Sequence, residues 1–256
     1  MILPSMTYQE MFDHTANDYE KIQIRKEYLL PKAVKEFKKT KHFPAWIWYE
    51  YTIPSTNNKY IIFFHSESRV FIEKPVVDYF SIVYDRNKRF IIQWFWGGYK
   101  HTENSPLIMI RQIHAYTNHF LTRYNERFLN DNTLNIVDIA CRYLSRNKKY
   151  MPIEMSDEIN KRLAQYGESA KYGFIVRDGF CFTRSALEIT ESEDGNRDND
   201  EVKAMLCIYT TFMPNNGLKV SQKTAIKKES ETAFERCLQA FNKDATDGVA
   251  TLKFNY

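Results

Sequence analysis

Three side chains suited to phosphate chemistry recur at every fourth position near the middle of the chain. They are His119, Arg123 and Arg127, within Thr117-Asn118-His119-Phe120-Leu121-Thr122-Arg123-Tyr124-Asn125-Glu126-Arg127. On an α-helix, residues four apart share a face and drift by about 40° per step. One imidazole and two guanidinium groups on such a face make a phosphodiester site. Arginine presents a fixed fork of donors that matches phosphate oxygens and stabilises charge developing on them. Histidine moves a proton near neutral pH. The same spacing also describes an ordinary solvated helix face, on which Glu126 pairs with Arg123.

The elements that must position these groups follow from periodicity. From Asn118 onward, Phe120, Leu121, Tyr124 and Phe128 form an apolar stripe, and Thr117 is placed to cap the helix they predict. The preceding Leu107-Ile108-Met109-Ile110 fits either a strand or a buried helical turn. Leu134–Ser145 reads as a second helix and Asp157–Gln165 as a short third. Strands follow at Tyr172–Arg177 and Phe180–Arg184 around an Asp178-Gly179 turn. An acidic segment to Glu201 reads as a long, mobile hairpin loop. Val202–Phe212 is a strongly apolar strand, and Lys223–Asn242 a closing amphipathic helix.

The first forty residues read as helical, capped by Ser5 or Thr7, with Pro31 expected to end or kink the helix. Ala45–Ile53 alternates, with Trp46 and Trp48 on one face and Ile47, Tyr49 and Tyr51 on the other. It pairs with Lys59–His65 across a Pro-Ser-Thr-Asn-Asn turn. Val76–Tyr84 and Arg89–Trp96 flank Asp85-Arg86-Asn87-Lys88, a second hairpin signal. Gly97-Gly98 marks a junction. The expectation is an α+β protein: N-terminal helices with aromatic β-hairpins over 1–98, then helices packed on an antiparallel sheet over 99–256. The two are separate regions or one continuous domain.

Composition narrows the function. The chain has 256 residues and a net charge of +4, too mild by itself to require a polyanionic partner. Its distribution is uneven: eight basic and three acidic side chains lie between Glu20 and Lys41, seven and three between Leu107 and Tyr150. Aromatic residues make up 15%, which calls for a thick core or a stacking surface. Cys141, Cys181, Cys207 and Cys237 contain no C-x-x-C pair, so they read as buried free thiols rather than a zinc or redox site. Asp194, Asn196, Asp198 and Asp200 alternate like a calcium loop but lack its glycine and closing glutamate. No dinucleotide, P-loop, zincin or hydrolase-elbow motif occurs, so no metal and no cofactor is expected. Apolar runs are short and the N-terminus lacks a basic leader, so the chain reads as soluble, cytoplasmic and without a membrane partner.

The pattern [Ser/Thr]-x-His-x-x-x-Arg-x-x-Glu-Arg, met here by Thr117, His119, Arg123, Glu126 and Arg127, resembles the helix motif of the barnase–EndoU–colicin–RelE-like nuclease superfamily. The resemblance covers about ten contiguous residues and the order of elements from Leu107 to Val220. It departs at Phe120 and Phe128, where small residues are usual. It implies a toxin-type, metal-independent ribonuclease that cleaves RNA by attack of the 2′-OH. His119, Arg123 and Arg127 would be catalytic, and Thr117, Tyr124 and Thr211 substrate-binding. The threonine-bearing strand would be Ile208-Tyr209-Thr210-Thr211-Phe212. RNA is the implied substrate, and an inhibitory protein the implied partner. Two alternatives stand beside it: a Cys–His nucleophile pairing His119 with Cys141, Cys181 or Cys207, and a non-catalytic nucleic-acid- or protein-binding module.

Overall fold

The computed structural model of the protein describes residues 1–3, 5–99, 108–160, 172–193 and 200–232. Helices are α1 Tyr8–Ala16, α2 Tyr19–Lys39, α3 Asn118–Tyr124, α4 Ile136–Arg146 and α5 Asp157–Asn160. Another helical stretch covers 220–232. Strands are β1 Ala45–Thr52, β2 Lys59–Ser66, β3 Val76–Asp85, β4 Lys88–Tyr99, β5 Ile108–Thr117, β6 Tyr150–Glu154, β7 Tyr172–Val176, β8 Gly179–Thr190 and β9 Glu201–Pro214. They form one sheet in the order β1-β2-β3-β4-β5-β9-β8-β7-β6. The fold is α+β, with helices packed on a sheet.

The sheet is mixed rather than wholly antiparallel. β5 and β9 run parallel, from Arg111 opposite Ala204 to Tyr116 opposite Tyr209. Parallel neighbours need a long crossover, and here everything from α3 through β8 serves as one. Each of the other neighbouring pairs is antiparallel. Because β4 pairs with β5, one sheet runs through both halves of the chain. The ambiguous Leu107–Ile110 stretch resolves as the start of β5, whose first described residue is Ile108.

Residue alternation along β2 shows how the sheet is covered. Tyr60, Ile62 and Phe64 join Leu29, Ala33 and Phe37 of α2 in one core cluster. Ile61 and Phe63 join the cluster that contains the inner face of α4. Trp46 and Trp48 face α4 as the alternation predicts, and donate their indole N–H groups to Ser145 Oγ and Asp138 Oδ1, both at 2.9 Å. Ile47, Tyr49 and Tyr51 lie with α2.

One N-terminal expectation needs correcting. The chain forms two helices, not one, because Asp18 between them is fully buried. Its carboxylate accepts hydrogen bonds from Thr56 Oγ1 at 3.0 Å, Asn58 Nδ2 at 2.6 Å and the Tyr60 hydroxyl at 2.9 Å. Thr7, rather than Ser5, caps α1 through a reciprocal bond with Glu10. Pro31 does not end α2, which runs on to Lys39. An interior proline costs about 3 kcal/mol, and burial of Leu29 and Phe37, at roughly 1.5–3 kcal/mol each, offsets it.

Cys141, Cys181 and Cys207 are free and buried; Cys237 lies outside the described residues. So do the calcium-like positions from Asp194 to Asp198, most of the acidic loop, residues 161–165 of the expected short helix, and the helix expected beyond 232. β8 and β9 extend into that acidic segment from both sides, to Thr190 and from Glu201. Among the described residues, no helix is long and apolar enough to cross a membrane.

Gly179 opens β8 where it meets the end of β9. A Cβ there would sit 2.2 Å from the Met213 carbonyl oxygen and 2.9 Å from Pro214 Cα, both backbone atoms. Gly179→Ala should therefore destabilise the fold by about 1–3 kcal/mol, an overpacking cost, read as a lowered urea midpoint at unchanged slope.

Candidate functional site

Thr117 is the last residue of β5 and the N-cap of α3. Its hydroxyl accepts from Phe120 N–H at 3.0 Å and donates to the Tyr209 carbonyl at 2.9 Å. It therefore ties the start of α3 to β9, which sets where His119 stands. Its one proton is spent on that bond, so Thr117 is a positioning residue. Phe120, Leu121 and Tyr124 turn inward and are buried, leaving His119 exposed.

The expected regular helix changes character after Tyr124. Asn125–Leu129 form a π-helical turn, closed by the Asn130 N–H, which donates to the Asn125 carbonyl at 2.7 Å. Asn130 ends the turn in the left-handed region, at φ 53°. Single π turns inside helices recur at functional sites. This one carries Arg127, whose Nη1 donates to the Phe212 carbonyl at 2.6 Å near the end of β9.

His119, Arg123 and Arg127 line one cavity of about 750 Å³, together with Thr117 and Thr211. The sheet brings three further cations to it: Lys88 and Arg89 from β4, and Arg184 from β8. No spacing in the sequence ties these to His119; only the β4–β5 and β8–β9 pairings do. Among the described lining residues there is no carboxylate, no cysteine and no second histidine. Arg89 Nε is sealed from solvent without an acceptor. Arg123 pairs with Glu126 at 2.7 Å, with side chains 41% and 49% exposed. So exposed a pair contributes at most about 1 kcal/mol, and a phosphate oxygen can displace the carboxylate.

A β-bulge shapes the opposite wall. Phe182 faces Thr211 while Thr183 faces Tyr209, so Thr210 is the extra residue of β9. Its hydroxyl donates to the Phe182 carbonyl at 3.0 Å. The bulge shifts the alternation by one: Tyr209 and Phe212 both enter the main core, and the consecutive Thr210 and Thr211 both line the cavity.

The hydroxyls of Tyr124, Tyr209 and Thr211, all on elements that border the cavity, separate cleanly. Tyr124 is fully buried, and its hydroxyl donates to Asp178 Oδ2 at 2.6 Å, outside the cavity. The Tyr209 hydroxyl lies 2.8 Å from His114 Nδ1, deep in the core. Thr211 alone of the three reaches the cavity. The Cys–His alternative fails on the same geometry. Cys141, Cys181 and Cys207 are fully buried away from it, and burial pushes the Cys181 and Cys207 thiols up to about 12. Buried His114 is held to about 3 by the same desolvation, neutral and walled by Phe95, Tyr150, Phe174 and Tyr209.

Among the described residues, no three His, Cys, Asp or Glu side chains gather as a metal-ligand set. No family model, curated protein or solved structure matches the chain, so the chemistry of the cavity has to be read from its own residues.

Proposed function

We propose that the protein is a metal-independent endoribonuclease of the toxin type, similar to the barnase–EndoU–colicin–RelE-like nucleases. The observation that carries this reading is one cavity holding His119 and five cationic side chains, with no carboxylate among its described lining residues. Such a cavity favours a phosphodiester over any cationic or neutral ligand. The sealed Arg89 N–H adds a donor that lacks an acceptor, and an unsatisfied buried donor is costly unless something fills the gap.

In this reading the RNA 2′-oxygen attacks the adjacent phosphorus and gives its proton to the His119 imidazole. A bond from phosphorus to the 2′-oxygen forms, and the bond to the 5′-oxygen breaks. The departing 5′-oxygen takes up a proton, leaving a 2′,3′-cyclic phosphate and a 5′-hydroxyl. Arg123 and Arg127 stabilise the charge that builds on the non-bridging oxygens, and Thr211 donates to one of them. The late threonine strand beside the His-Arg helix supports the likeness to these nucleases.

The test is cleavage of a structured RNA by purified protein in excess EDTA. The expected products carry a cyclic phosphate, and Arg123→Ala lowers kcat and kcat/KM together, because the interaction belongs to the transition state. Binding without cleavage over a broad pH range would instead establish a nucleic-acid-binding module.

A further inference from the structure

We infer that the cavity selects the nucleobase as well as the phosphate. It takes the base of the reacting nucleotide at the side chain of Gln222, and prefers one that presents a keto oxygen there (uracil or guanine) over the amino-bearing cytosine and adenine. The inference rests on the ribonuclease reading of the cavity and adds a specificity residue to it.

Gln222 belongs to the helical stretch at 220–232 and lines the cavity. The Lys223 N–H donates to the Lys219 carbonyl at 2.9 Å, which makes Lys219 the N-cap and Gln222 the third helical position. From there Gln222 Oε1 reaches back and accepts the Lys219 N–H at 3.2 Å, the glutamine half of a capping box. That bond fixes which way round the amide sits. The oxygen serves the helix, and Nε2 is left with two hydrogens to donate. Gln222 is only 6% exposed, yet no acceptor among the described residues meets its Nε2. A buried amide donor without an acceptor is destabilising until a group that carries one enters the cavity.

The surroundings suit a base rather than a second phosphate. Phe182 and Met213, from β8 and β9, line the cavity and share a core cluster with Ala225 and Ile226, which follow Gln222. The half-buried Phe90 lines it from β4. The cavity thus offers carbon surface as well as cations. Its volume of about 750 Å³ falls in the range of roughly 300–1,000 Å³ typical of sites that enclose a whole organic ligand. Unstacked bases are held in this way, with faces on aromatic or apolar side chains and edges on hydrogen-bonding groups. Nε2 can only donate. Opposite it, O4 of uracil or O6 of guanine accepts, whereas N4 of cytosine or N6 of adenine sets N–H against N–H.

The experiment is calorimetric titration with 3′-nucleotides, 3′-UMP against 3′-CMP and 3′-GMP against 3′-AMP. The wild type should bind the keto member of at least one pair about tenfold more tightly, the effect of one hydrogen bond to a buried group. The pair that discriminates names the base. Gln222→Glu is the deciding variant. It keeps the capping bond, because glutamate serves that position equally, but replaces the two N–H donors by an oxygen that accepts. The preference should therefore vanish or reverse while the unfolding midpoint holds. The added charge repels the phosphate of every nucleotide alike and cancels from the ratio. A side chain that only capped the helix would leave the ratio untouched. An unchanged ratio in Gln222→Glu, or equal binding within both pairs by wild type, would overturn the base site. Cleavage of RNA in EDTA, run in parallel, keeps the two readings apart. A keto preference that depends on Gln222, without cleavage, retains the base site and sinks the nuclease; cleavage without that preference does the reverse. No binding and no cleavage overturns both.

Discussion

His119→Ala should remove EDTA-resistant RNA cleavage, lowering kcat/KM by about 10²–10⁴-fold, the usual contribution of a positioned proton-transfer group. The fold should not notice. His119 is exposed on the outer face of α3 and belongs to none of the core clusters, and such substitutions change stability by about 0.5 kcal/mol or less. Activity lost at an unchanged unfolding midpoint therefore reports chemistry. A sharper readout is rescue: free imidazole can enter an open cavity and restore part of the cleavage by His119→Ala, which a merely structural role would not allow. Thr117→Ala makes the contrast. It removes the N-cap and the tie to Tyr209, costs about 1 kcal/mol of stability and displaces His119, so imidazole should not restore it. Wild-type cleavage by His119→Ala would place the reaction elsewhere.

The part of the site that was legible in the sequence is the part written on one short segment. The four-residue spacing pairs His119 with Arg123 because an α-helix repeats locally, and Thr117 reads as its cap; Arg127 reaches the same cavity from the π turn that follows. Tyr124 shows the limit of spacing. It lies one residue after Arg123, yet a step of 100° turns it into the core, where its hydroxyl meets Asp178. Lys88, Arg89 and Arg184 were illegible because they converge only through strand order, and strand order depends on the long crossover that lays β9 parallel to β5. The same holds for the bulge at Thr210, a matter of register between two strands. Local rules fared well on the hairpins: the turn at Arg86-Asn87 and the Trp46/Trp48 face follow from turn chemistry and alternation. They failed at Asp18, where tertiary bonds divide the expected helix in two, while at Pro31 the helix runs on instead of ending. β6, with Pro152 in its middle, shows no strong strand signal, and it occupies the sheet edge where a missing N–H does least harm.

Asp178→Ala should be the most destabilising single change near the site, by about 3–5 kcal/mol, because it strands a partner of a buried, hydrogen-bonded ion pair. The carboxylate is only 3% exposed. It joins three elements: Tyr124 from α3, Arg146 and Asn147 at the end of α4, and its own β7–β8 turn, where its backbone N–H donates to Asn147 Oδ1 at 3.1 Å. Desolvation alone would raise its pKa, but the bonds from Arg146, Tyr124 and Asn147 outweigh burial and hold it below the ordinary carboxyl value. The sign of the pH effect follows. A depressed pKa means that the folded state holds the charged form more firmly than the unfolded chain does. The stabilisation is complete above the unfolded carboxyl pKa, near 4, and is lost as pH falls through the lower folded value. Urea unfolding at pH 7 and in steps below pH 4 should therefore show the gap between wild type and Asp178→Asn closing on acidification. A gap that stays constant with pH would mean that the carboxylate is not the charged clasp described. The clasp also bears on the site, because Tyr124 carries the same helix as His119 and Arg123, and Arg146 stands in a cleft beside Arg127. Loosening it should raise KM for RNA before it lowers kcat, since substrate-holding geometry gives way while His119 keeps its own cap.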